Sequence, residues 1–367
     1  MLKKNWILQK MLKKILKIFL VIIAIIALFL LMILSRMGAF KTIVVNTPET
    51  CESFPMSGSA EDIEIDYERG LAYLSLQDRA SLIRGEKVQG SIVKIDLKKT
   101  PFKITPALTQ QPGHLRPHGI SLHIDDKGKR HLAVINHPQN RGDEPENIDL
   151  FSETRLGVFK YTETISDPLF KSPNDVLLVA PKKFYVGNDK GGETGWDSIQ
   201  ENLGRPMANI AYFDGNSTTV AAQNLSQVSG INISRDARLV FASETGAKRI
   251  AVFKINPENG KLKLVERIKL NGSPDNINVS ENGSLVVANI PKILALIQHF
   301  VALQKGEVKP SPSQVVRINY HGLGDSKIDE LFMSKGDDFS TASVGAIWDG
   351  RLFMGSMDDN KMLVCNL

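Results

Sequence analysis

Cysteine is almost absent from this chain. Cys51 and Cys365 are the only two among 367 residues, and two cysteines so far apart make no zinc motif. The sequence has no G-x-S-x-G stretch, which disfavours a covalent serine esterase built on a nucleophile elbow. Acid is missing from the amino terminus: eight of the 45 basic residues precede the first carboxylate, Glu49. The formal net charge of +5 comes from that head, since the rest holds 37 basic residues (45 less those eight) against 40 acidic. Such a balance argues against a nucleic-acid partner. Apolar residues at 42% and aromatic residues at 7% suit an ordinary folded core.

What the amino terminus does have is an unbroken apolar run of 17 residues, 18–34. That is the short end of a bilayer span, and Ile15 and Leu16 extend it if Lys17 snorkels. Positive charge ahead of the run keeps the head cytoplasmic and sends the body across. Ser35-Arg36-Met37-Gly38-Ala39 offers no clean small-x-small cleavage site, so an uncleaved signal-anchor is expected rather than a signal peptide. The expected order is a basic cytoplasmic head at 1–17, a single transmembrane helix at 18–34, a tether at 35–50 and an extracytoplasmic body at 51–367. Within the tether, 42–45 reads as a short edge strand.

The body repeats one pattern six times. Glu61-Asp62, His118-Gly119, Asn174-Asp175, Ser229-Gly230, Asp275-Asn276 and Ala342-Ser343 each open a short strand, a turn and a second strand. The openings are spaced by 57, 56, 55, 46 and 67 residues. A period near fifty with several strands per unit predicts an all-β fold, a six-bladed β-propeller. Closing the ring brings the terminal strands together, so Cys51 and Cys365 become neighbours, and an exported domain permits a disulfide.

In a propeller the innermost strands line the channel, and the residues that open them meet at one mouth. That ring holds Glu61, Asp62, His118, Asn174, Asp175, Ser229, Asp275 and Asn276. One Asn–Asp pair before a strand is ordinarily a turn device; three polar pairs at equivalent positions point to ligands. An oxygen-rich, sulfur-free set suits calcium better than magnesium and argues against zinc or copper. Five of the seven histidines lie between His114 and His137. His118 sits in the ring and His137 follows the strand paired with it, while His123 and His131 read as structural. Two histidines beside a cation suggest general-base work on water, with the cation polarising a carbonyl.

Three stretches stand outside the repeat. Residues 141–153 read as a polar surface loop. Residues 187–205 lack strand periodicity and read as a loop able to fold over the mouth. In 291–305, Ile293, Leu296, Ile297, Phe300 and Val301 fall on one face of a helix, placed at the rim or on the propeller's side.

At Gly58-Ser59-Ala60-Glu61-Asp62-Ile63-Glu64, Pro117-His118-Gly119-Ile120-Ser121, Val134-Ile135-Asn136-His137-Pro138, Asn174-Asp175, Gly230-Ile231-Asn232-Ile233-Ser234, Asp275-Asn276-Ile277 and Leu363-Val364-Cys365-Asn366-Leu367, the chain resembles the paraoxonase family of calcium-dependent lactonases and arylesterases. The resemblance covers 51–367. It implies two calcium ions: a catalytic one on Glu61, Asn174, Asp275 and Asn276, and a structural one on Asp62, Asp175 and the carbonyl of Ile120. It also implies His118 as general base with His137 as partner, a Cys51–Cys365 disulfide, a retained hydrophobic amino terminus and lactone or aryl ester substrates. One departure stands out: the family has an asparagine where this chain has Ser229. Position 190 and the 291–305 insertion depart too. Two other readings compete: a gluconolactonase-like hydrolase with one metal, and a non-catalytic membrane-tethered propeller that binds a ligand or protein.

Overall fold

The computed structural model describes residues 2–110, 112–192 and 194–367. Met1 of the expected head and Glu193 of the 187–205 stretch lie outside the described residues. Six four-stranded antiparallel sheets follow one another around a ring. Their innermost strands are Ser59–Asp66, Pro117–Ile124, Pro173–Ala180, Val228–Ile233, Ser273–Val279 and Ala342–Trp348. Five blades are continuous in sequence. The sixth takes its outer strand from the other end of the chain: Cys51–Pro55 pairs with Lys361–Asn366. Cys51 stands opposite Cys365, and the two are joined as a disulfide.

The cores lie between blades rather than inside one sheet. Ile63, Leu74 and Ile95 of the first blade pack on Val344, Phe353 and Met362 of the last. Tyr73 and Ile92 on its other face pack on Ile120, Leu132 and Phe151 of the second. The inner strands therefore bury both faces, which explains their near-continuous apolar runs in the sequence. Hydrogen bonds repeat as well. Asn136, Asn188 and Glu244, each ending a second strand, accept the backbone N–H of Arg116, Ser172 and Ser226 respectively.

Four helices interrupt the strands: α1 (Leu2–Arg36), α2 (Arg79–Ile83), α3 (Gly195–Asn202) and α4 (Ile293–Gln304). The last three lie between second and third strands, so they stand at the end of the propeller where innermost strands begin. α3 starts with a capping box, Thr194 and Asp197 bonding each other's backbone N–H. In α1, residues 9–36 are long and apolar enough to cross a membrane, by length and composition, and none of that stretch is buried. The end of α1 rests on the same face of the body. Arg36 donates to the carbonyl of Leu203, Lys248 donates to the carbonyl of Arg36, and Leu294 N–H donates to the carbonyl of Met37.

Two sequence expectations need correction. No strand forms at 42–45, where Val44 and Val45 are exposed; pairing is limited to the single bridge of Asn46 to Met333, in an outer strand. The supposed loop at 141–153 ends early, because Asn147–Arg155 is a strand. Its Ile148, Leu150 and Phe151 are buried. The acid among them, Asp149, is buried too, and accepts bonds from Asn136 and Thr164. The 291–305 stretch forms α4 as expected.

Candidate active site

All six innermost strands carry a register shift near their start. It falls at Ala60/Asp62, Pro117/Ile120, Pro173/Asp175, Val228/Ile231, Pro274/Ile277 and Ala342/Val344. A bulge adds a residue and re-aims its side chain. The residues inside these bulges are Glu61, His118 with Gly119, Asn174, Ser229 with Gly230, Asp275 with Asn276, and Ser343. The structure thus brings the whole expected ring together at one mouth. Two glycines are needed for close approach: a Cβ on Gly119 would lie 2.5 Å from Asp175 Oδ1, and one on Gly230 would lie 2.5 Å from the Asp275 carbonyl oxygen.

Glu61, Asp62, Asp175, Ser229, Asp275 and Asn276 are all buried. Asn276 donates to the carbonyl and to Oε1 of Glu61, at 3.0 and 3.1 Å. Ser343 donates to the same carbonyl at 2.7 Å. Three oxygens of this set are buried with no hydrogen-bond partner: Glu61 Oε2, Asn174 Oδ1 and Asn276 Oδ1. Each is an acceptor, and buried acceptors left unmet are costly. Asp62 and Asp175 are used differently. Asp62 accepts from Ile63 and Ile120, and Asp175 from Val176 and Ile231, all backbone N–H groups, so each carboxylate ties its blade to the next. Each of those oxygens keeps a second lone pair.

The carboxyl groups compete. Burial raises Asp62, helped by the charge of Glu61, to about 7. Burial and the same neighbours push Asp175 and Asp275 well above the usual range. Burial also opposes ionisation of Glu61, but His118, Arg79 and Asn276 outweigh it and bring Glu61 down to about 2. This set cannot all ionise without added positive charge. Among the described residues, no group of three or more His, Cys, Asp or Glu side chains makes up a metal centre by itself. A cation here would draw on amide oxygens as well. The unmet oxygens, the raised carboxyls and the hard donor set all fit calcium.

His118 Nε2 lies 3.3 Å from Glu61 Oε1, and its Nδ1 lies 3.0 Å from His137 Nε2. His137 Nδ1 lies 2.6 Å from Glu146 Oε2, and Arg141 Nε donates to Glu146 Oε1 at 2.8 Å. Burial, with the nearby His118 and Arg141 charges, drops His137 to about 3 despite Glu146, so its imidazole is neutral at physiological pH. His131 bonds Asp125 and Ser152 well away from this mouth, and His123 lines a cavity of about 450 Å³ at the opposite one.

Sequence reasoning missed Glu146 and Arg141, hidden in a stretch read as surface loop. It also missed Asp189 and Arg79, whose charges reach Asp275. Asp189 Oδ1 is another buried oxygen without a partner. A usable signal existed: His137 and Asp189 each directly follow the last residue of a second strand, and Arg79 follows one by two.

A family model described as arylesterase matches residues 81–367. The chain belongs to the arylesterase family. It is a carboxylic-ester hydrolase, and the non-catalytic reading falls away. Serum paraoxonase/lactonase 3 of Mus musculus is 26% identical over 90% of this chain and 93% of that protein. Serum paraoxonase/arylesterase 1 of Homo sapiens is 26% identical over 84% of this chain and 86% of its own length. Among solved structures, the major allergen Mala s 1 of Malassezia sympodialis superposes with a TM-score of 0.53 at 14% identity, over 86% of this chain and 95% of the allergen. At that identity the likeness shows the fold alone.

Proposed function

We propose that this protein hydrolyses lactones and aryl esters with the help of calcium, using His118 as the base that activates water. The names of the relatives, paraoxonase, lactonase and arylesterase, support the substrate range. The observation that carries the calcium reading is the trio of buried, unpartnered acceptors Glu61 Oε2, Asn174 Oδ1 and Asn276 Oδ1 beside the histidine pair. Glu61, Asn174, Asp275 and Asn276 would hold one ion, with Ser229 near it. The remaining lone pairs of Asp62 and Asp175, with the Ile120 carbonyl, would hold a second. Calcium bound at the first site supplies polarisation of the substrate carbonyl and charge to offset its oxyanion.

The chain's own residues set the proton path. Glu146 accepts the Nδ1–H of His137, which leaves His137 Nε2 as an acceptor. It takes the Nδ1–H of His118, and the lone pair of His118 Nε2, 3.3 Å from Glu61 Oε1, then faces the ring. His118 removes a proton from water as the water oxygen bonds the carbonyl carbon. The C–O bond of the ester then breaks, and His118 returns the proton to the departing oxygen. Glu61, close to Nε2, offsets the charge on the imidazolium between these steps.

For the amino terminus we propose a basic cytoplasmic head, one span and an extracytoplasmic propeller, on the support of the charge asymmetry and the exposed apolar length of α1. The test of function is chelation. EDTA added to purified protein should abolish hydrolysis of a lactone panel at concentrations that leave β-sheet circular dichroism intact. Hydrolysis unaffected by complete calcium removal would sink the proposal.

A further inference from the structure

Arg79 opens α2 and reaches back toward the ring. Its Nη2 donates to the carbonyl of Pro117 at 2.7 Å, one residue before His118, and its Nε is buried with no partner. Arg116 is nine-tenths buried; its Nη1 donates to the carbonyls of Pro138 and Gln139 at 2.6 and 2.9 Å, and its Nε is likewise buried and unmet. Among the described residues neither guanidinium makes an ion pair. Arg130, Arg141, Arg249 and Arg267 each have a carboxylate. The acids whose charge reaches Arg79 are Glu61, Asp275 and Asp62, and all three belong to the proposed calcium sites. Arg79 is half-buried, and a cation out of full solvent whose nearby anions serve another cation has no counter-charge of its own. The missing anion is one that a ligand can bring.

We propose that Arg79, supported by the positive charge of Arg116, binds a carboxylate carried by the substrate, so that the preferred substrates are esters or lactones bearing a free carboxyl group. This rests on the hydrolase reading for the substrate, though not for the anion site. Charge-assisted bonds from guanidinium to carboxylate are the stronger kind, and a planar fork suits them.

The test compares monophenyl glutarate with its neutral methyl phenyl diester, following phenol release. The wild type should favour the monoacid in kcat/KM. Arg79→Gln should lower that preference about ten- to hundredfold, and Arg79→Lys should keep part of it. In parallel, calorimetry should show glutarate binding to calcium-loaded wild type and about tenfold weaker binding to Arg79→Gln, with calcium content unchanged. The same preference in wild type and Arg79→Gln, or equal glutarate affinity, overturns the proposal. If the wild type cleaves neither ester yet glutarate binds and is lost with Arg79→Gln, the anion site stands and the hydrolase reading falls.

Discussion

The Nδ1 atom of His137 lies 2.6 Å from a carboxylate oxygen of Glu146, and this contact fixes which way both imidazoles of the pair hold their protons. Glu146→Gln can present an amide N–H instead and turn His137 over. We expect kcat to fall about ten- to hundredfold, less than loss of the base itself, with KM and calcium content nearly unchanged. Steady-state kinetics and metal analysis check this; an equal loss in kcat and calcium would make Glu146 merely structural.

Asp275→Ala and His118→Gln should separate metal from base. Asp275→Ala removes a carboxylate of the ring and should lower calcium affinity and activity together. His118→Gln should keep its calcium, since imidazole is a poor ligand for it, while losing about 10²–10⁴-fold in rate. Full activity in His118→Gln would move the base elsewhere, to the nearby carboxylates.

Calcium should matter more to stability as pH rises. Asp62, Asp175 and Asp275 have folded pKa values above their unfolded ones, Asp62 at about 7. Without metal they stabilise the fold fully below about pH 4 and lose that contribution as pH climbs through those values. Glu61, lowered to about 2, runs the other way and loses its contribution only on acidification below about pH 4. EDTA should therefore lower the melting temperature by about 5 °C or more at pH 8 and far less at pH 5. Ser229→Asn, which supplies an amide oxygen, should retain or tighten calcium; weaker binding would place Ser229 off the coordination sphere.

His299 should pin α4 in a pH-dependent way. It is buried, with Nε2 2.8 Å from Asp358 Oδ2 and Nδ1 2.5 Å from the carbonyl of Lys309. Burial disfavours its charge, but Asp358, that carbonyl and Asp359 outweigh this and raise its pKa. The stabilisation is complete below the unfolded value near 6.5 and lost as pH rises through the folded one. His299→Gln should cost about 1–3 kcal/mol at pH 6 and clearly less at pH 9. Equal losses in thermal melts at both pH values would contradict a charged His299.

The repeat spacing made the propeller legible, because each blade needs the same strand–turn–strand signal. The ring was legible for the same reason: bulges at equivalent positions carry Glu61, Asn174 and Asp275. Loops obey no such period. Glu146 and Arg141 act on His137 from a connection whose sequence is merely polar. Asn147–Arg155 was hidden because Asp149 is buried on bonds from Asn136 and Thr164, a pairing invisible along the chain. Residues 42–45 look like a strand and are not one: Val44 and Val45 stay exposed, and only Asn46 beyond them pairs, with Met333.

The seam between Cys51–Pro55 and Lys361–Asn366 puts synthesis and assembly in a fixed order. During translation Cys365, opposite Cys51 in that seam, is made 314 residues later. Until residue 366 leaves the ribosome, the first and sixth blades have no way to complete their shared core. Glu61 and Asn276, 215 positions apart, meet across the mouth of the closed ring. Closing so long a loop is slow and entropically costly. A nascent chain therefore carries five nearly finished blades before its ring can close.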